Sequence, residues 1–179
     1  THPALAQAVD LASRTGARVT AVTVLKDVPR RARTFVTEHI EQELVDNLSD
    51  ELKVAVTSVG PEKTVTNKVL RGNHANALMQ EAGTGKSDLL MRSHGAGNAG
   101  KPLPFGPIDM SLLRHCPCPV WIVEARVGKS IRRVLAAVNA NRGEHNQQPL
   151  KRRIVELALG LSEAEDAGLT ILEVWSVFG

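Results

Sequence analysis

Residues 87–123 read SDLLMRSHGAGNAGKPLPFGPIDMSLLRHCPCPVWIV. Asp88 to Met91 is a short apolar strand, and Gly95, Gly97 and Gly100 with Pro102 and Pro104 make a loop. Ile108 to Arg114 is a short helix, and Val120 to Val123 is a last strand entered through Pro117 and Pro119. A strand, a helix-bearing connection and a second strand imply parallel pairing, because antiparallel neighbours need only a tight hairpin.

Upstream, the same alternation recurs. Pro3 to Thr15 places Leu5, Val9 and Ala12 on one face, with Pro3 in the first turn and Gly16 past the end, which predicts a helix. Arg18 to Leu25 is rich in β-branched residues and is closed by Asp27 and Pro29, which predicts a buried strand. Between Arg31 and Leu48 the residues Val36, Ile40, Leu44 and Leu48 recur every four positions, which predicts an amphipathic helix. Leu52 to Val59 is open to helix, strand or loop. Thr64 to Leu70 predicts a strand, Arg71-Gly72-Asn73 a turn with a helix start, and Ala75 to Ala82 a short helix stopped by Gly83. Regular alternation of this kind predicts an open parallel sheet with helices on both faces.

Downstream, 126–131 reads as a linker. Arg133 to Val138 is a new strand, Leu150 to Leu161 a helix and Leu169 to Val174 another strand. Pro3, Val9, Leu11 and Ala12 match Pro149, Val155, Leu157 and Ala158 at an offset of 146, and Val19, Thr20 and Val24 match Leu169, Thr170 and Val174 at 150. This is an internal repeat with a longer second helix. The expected organisation is a first domain over 1–125, lacking its first strand, and a strand–helix–strand of a second copy over 132–179. The first domain should then carry a slot between Val19–Leu25 and Ser87–Met91. Either the chain is a piece of a longer tandem protein, the favoured reading, or strand Arg133–Val138 enters the slot from its own or another molecule.

Composition narrows the function classes. The chain of 179 residues carries 22 Lys+Arg against 19 Asp+Glu, a net charge of +3 that makes only a weak field. Aromatic residues are 3% of the chain, with no Tyr, so base-stacking single-strand binding is disfavoured and nucleic acid is not the expected partner. No apolar run approaches the ~18 residues of a membrane span, and Thr1 opens no signal-like segment. Two cysteines, Cys116 and Cys118, do not make a secreted disulfide scaffold, so a cytoplasmic setting is expected.

The stretch Ser87 to Gly95, SDLLMRSHG, resembles the "DLLVMGSHG" segment of universal stress proteins. Asp109 to Val123 resembles their closing helix and strand, and LLRHCPCPVWIVE followed by VLAAVNAN is most similar to tandem members of that family. The resemblance implies a five-stranded open parallel sheet with a nucleotide cleft at the carboxyl ends of its strands. Its ATP-binding members carry Gly, two residues, Gly, nine residues, then Gly and Ser or Thr, whose main-chain N–H groups hold phosphate. Here Arg92 stands at the first Gly, Gly95 fits the second, and ten residues separate Gly95 from Gly106. Pro107 replaces the hydroxyl residue and removes an N–H donor. The acidic residue that the family often carries after its first strand is Asn139 here. Arg92, Gly95, Gly106 and Asn139 are therefore the residues of a degenerate nucleotide site. No cofactor is expected, with ATP as the alternative. The family's pairing strand corresponds to Val120, Trp121, Ile122 and Val123, which implies self-association or pairing with a second domain of the same chain.

Other candidates resolve to structure. Gly83-Thr84-Gly85-Lys86-Ser87 imitates a P-loop, but the motif needs Gly where Gln80 stands, and it follows a helix and opens a strand. His115-Cys116-Pro117-Cys118 invites a metal reading, yet no second ligand pair exists elsewhere. Buried structural thiols are expected and no metal site. His94 beside Ser93 and Asp88 has no triad-like context, so no catalytic residue is assigned. The clusters Arg30, Arg31, Arg33 and Lys151, Arg152, Arg153 read as solvated faces, or as partners for Glu41/Glu43 or Glu163/Glu165 of a second subunit. The leading function is a non-enzymatic stress-response module. The alternatives are an ATP-binding switch or slow ATP hydrolase, and a nucleic-acid-contacting stress protein.

Overall fold

The computed structural model describes residues 2–27, 38–59, 65–93, 105–124, 131–139 and 148–174. They form α1 (Pro3–Thr15), β1 (Val19–Leu25), α2 (Glu38–Thr57), β2 (Val65–Arg71), α3 (His74–Thr84), β3 (Leu90–Ser93), α4 (Pro107–His115), β4 (Val120–Val123), β5 (Arg133–Asn139), α5 (Gln148–Glu165) and β6 (Gly168–Val174). Two compact units result, Thr1–Val127 and Gly128–Gly179.

Every strand pair is parallel. β1 pairs with β2 from Val19↔Val65 to Leu25↔Arg71, β3 with β4 from Leu90↔Val120 to Ser93↔Val123, and β5 with β6 from Arg133↔Gly168 to Asn139↔Val174. Where the family resemblance implies a five-stranded sheet, the described residues make three two-stranded sheets. The reason is one of spacing. A ladder bridges only ~4.8 Å between neighbouring strands, and no described strand supplies main-chain partners between β1 and β3. Helix α1 packs against both β1 and β3.

Helices cover both faces of the first unit. Lys68 of β2 reaches Glu81 of α3 at 2.8 Å, whereas Arg71, three residues on and so on the opposite face, reaches Glu41 of α2 at 3.5 Å. The α3 helix also packs against α4. Fully buried Val56 of α2 and Leu112 of α4 anchor this core, each worth about 1.5–3 kcal/mol.

One open reading resolves, and the bounds of one strand shift. The ambiguous stretch after Leu48 continues α2 to Thr57. Its inward stripe is Val45, Leu48, Leu52, Ala55 and Val56, while Ile40 and Leu44 are exposed. α2 packs on β1 and β2, and its buried residues, Ala55 and Val56, lie in its C-terminal half. Val36 lies outside the described residues. β3 begins at Leu90 rather than Asp88 and runs on to Ser93. That shift carries Arg92 and Ser93 into the strand.

Local chemistry sets the helix ends. Asn73 caps α3, its side-chain oxygen accepting the N–H groups of Ala75 and Asn76 at 3.1 and 3.3 Å. Gly16 closes α1 at φ +71, its N–H donating to Ala12 O at 2.9 Å. Gly85 ends α3 with its N–H on Glu81 O at 2.8 Å, so the P-loop-like string is a helix-to-strand turn. In the second unit α5 packs on β5 and β6. Its last turn passes through Asp166 at φ +51.

Candidate functional site

The carboxyl end of β3 is where the first unit gathers its chemistry. Successive strand residues point to opposite faces, so Arg92 and Ser93 serve different helices. Ser93 faces α1, and its Oγ accepts the N–H of Ala4 at 3.0 Å. Ala4 belongs to the first turn, where N–H groups have no partner inside the helix. Arg92 faces α4, and its guanidinium is ion-paired and hydrogen-bonded to Asp109 Oδ1. The second carboxylate oxygen of Asp109 accepts the N–H of Gly106 at 2.9 Å. This is the reach-back half of a capping box, an acid in the first turn bonding the residue that caps it.

The pair is largely removed from water. The Asp109 side chain is 2% exposed and that of Arg92 27%. Burial pushes the Arg92 guanidinium below its ordinary value, yet guanidinium remains charged at any physiological pH. A buried carboxylate is tolerated only when it is paired and hydrogen-bonded. Both conditions are met here, by Arg92 and by the Gly106 N–H.

Two helix N-termini, those of α1 and α4, therefore end at one strand terminus, and each is engaged by a group of the chain itself. Helix N-termini attract anions through free N–H groups and the helix dipole. At α4 the anion is the Asp109 carboxylate. Pro107, at the first helical position, contributes no N–H.

Of the residues singled out from sequence, the structure brings Arg92 and Gly106 together through Asp109. Gly95 and His94 lie outside the described residues. Asn139 ends β5 in the second unit, opposite Val174. Val120, Trp121, Ile122 and Val123 form β4, all half-buried, with Trp121 level with Met91 and Ile122 level with Arg92. Trp121 thus shares the α1 face with Ser93, and Ile122 shares the α4 face with Arg92. Glu41 is occupied by Arg71 of the same unit, and Arg152 by Glu156 one turn along α5 at 2.7 Å. Arg30, Arg31 and Arg33 lie outside the described residues. Asp109 and Ser93 were not assigned a role in advance. The signal for Asp109 was available, an acid three residues after Gly106 at a helix start. Ser93 gave none, because its partner is 89 residues away in sequence. Among the described residues no three metal-ligating side chains cluster, and no helix is long and apolar enough to cross a membrane.

Comparison with known proteins identifies the class. The model of the universal stress protein family matches residues 1–124, and the chain belongs to that family. Within it, the chain is similar to universal stress protein E of Photorhabdus laumondii, 29% identical over 162 residues covering 87% of this chain and 51% of that protein. It is also similar to the universal stress protein E homolog of Haemophilus influenzae, 27% identical over 175 residues (92% and 57%), and to universal stress protein E of Escherichia coli K12, 26% identical over 171 residues (90% and 53%). The chain spans about half the length of these relatives. A functionally unknown protein of Pseudomonas aeruginosa PAO1 shares the fold at a TM-score of 0.63 and 20% identity, over 94% of this chain and 54% of that one. UspA of Lactobacillus plantarum does so at 0.54 and 18% identity, over 67% and 86%.

Proposed function

We propose that this chain is a non-enzymatic stress-response module whose first unit has given up nucleotide binding. The observation that carries the reading is the Asp109 carboxylate, held by Arg92 and by the Gly106 N–H at the mouth of α4. A phosphate at that position would meet a fixed negative charge, and like charges in a poorly solvated site repel strongly. The guanidinium that could otherwise hold the phosphate is already paired. Pro107 and the altered glycine spacing act in the same direction.

The same reading makes 132–179 part of a second copy. It is supported by the matched helix–strand units α1–β1 and α5–β6, each of which leaves its helix through a left-handed residue, Gly16 in one and Asp166 in the other. Self-association, or pairing with a further domain, would run through β4. Among the described residues, β4 has a strand on one edge only.

Isothermal titration of the full chain with ATP tests the proposal. The expected result is no saturable heat, and no nucleotide released when the purified protein is denatured. Saturable ATP binding that persists when Arg92 is replaced by Ala would favour the switch or hydrolase alternative. Salt-sensitive RNA or DNA binding would favour the nucleic-acid alternative.

A further inference from the structure

The loop between α4 and β4 carries two free thiols, Cys116 and Cys118, both half-exposed rather than buried as the sequence suggested. Their sulfurs stand 3.7 Å apart. The loop is pinned along its length. Cys116 N–H donates to Leu112 O at 2.9 Å, and Leu90 N–H donates to Pro119 O at 3.0 Å. Between these points the Pro117 ring lies against α3, where a Cβ on Gly83 would be 3.6 Å from Pro117 Cγ. Pro117 and Pro119 each fix their own φ. Both thiols thus sit on a short, anchored stretch of backbone with their sulfurs in contact.

From that spacing a two-thiolate chelate needs less movement than a disulfide. A disulfide needs about 2.05 Å between sulfurs, and this backbone would have to yield to reach it. Two thiolates bound at about 2.3 Å to one tetrahedral zinc ion stand about 3.8 Å apart. We propose that Cys116 and Cys118 form a two-thiolate site for a thiophilic divalent cation of the zinc class. No third ligand gathers there among the described residues, so the other coordination positions belong to water or a small exogenous ligand. Such a site is open and exchanges its ion. Soft thiolate donors select zinc or cadmium over magnesium or calcium.

Binding is a proton exchange. The cation and two Cys–SH groups give a bis-thiolate complex and two released protons.

Cadmium is the probe. The reduced full chain, titrated with Cd²⁺ under argon, should develop an ultraviolet thiolate-to-cadmium charge-transfer band that saturates at one ion per chain with two protons released. Cys116→Ser and Cys118→Ser should each weaken binding on the order of 100-fold or more, with far-ultraviolet circular dichroism unchanged. As a measurement independent of any variant, Cd²⁺ should protect both thiols of the wild-type chain from alkylation. Absence of the band, binding that survives in the double variant, or alkylation that Cd²⁺ does not slow would each overturn the proposal.

Discussion

The two units bury side chains of different size. In the first, Val56 and Leu112 are fully buried, and even an acid, Asp109, is 1% exposed. In the second, the buried apolar residues are Ala136 and Ala158, while Leu135, Leu157, Leu159, Ile171 and Leu172 are exposed. Both units follow the same strand–helix grammar. Among the described residues one difference is the number of layers, although Ile171, on the same face as Ala136, is exposed as well. The first unit has helices on both faces of its strands. The second has one described helix, and the face of β5–β6 that carries Leu135, Ala137 and Leu172 lies opposite buried Ala136, the side that α5 covers. A sheet face becomes core only when a second layer closes over it. An apolar pattern states which residues can be buried, and the neighbouring layer decides whether they are.

The comparison is open to attack by substitution. Leu112→Ala in the first unit should have the largest effect, a loss of about 2–5 kcal/mol in unfolding free energy, measured by urea denaturation. A loss below about 1 kcal/mol would mean that this core is far looser than its burial implies. Next come the matched left-handed exits. Gly16→Ala should cost about 1 kcal/mol, because its φ is +71 although nothing stands within 4 Å of the added Cβ. Asp166→Gly should stabilise by about 0.5 kcal/mol, since a side chain already bears that strain at φ +51. Equal responses at the two positions would break the kinship between the helix–strand units. Leu172→Ala should change stability by less than about 0.5 kcal/mol, the counterpart of Leu112→Ala at an exposed position.

The smallest effect is with pH. The Cys118 thiol is raised from 9.0 to about 11 in the folded chain, first by burial and then by Cys116. Folded protein therefore holds this proton more tightly than unfolded chain. The contribution is complete below pH 9 and fades as pH rises towards 11. Thermal unfolding across that window should show a modest fall in wild type that Cys118→Ser abolishes.

Much of the fold was legible along the chain. The strand at Val120–Val123, the helix at Pro3–Thr15 and the cap at Asn73 followed from β-branching, 3.6-residue periodicity and side-chain capping. These signals act over a few residues and survive without tertiary help. The glycine spacing and Pro107 marked the α4 mouth as altered. Other features had no local signal. The length of α2 was fixed by burial of Ala55 and Val56 against the strands.

The sequence determined the order of elements and their parallel sense, because each depends on residues close together in the chain. Tertiary structure decided that Arg92 meets Asp109 across 17 positions and that Ser93 meets Ala4 across 89. Contacts between distant residues arise only when separate elements pack. No window of neighbouring residues encodes them.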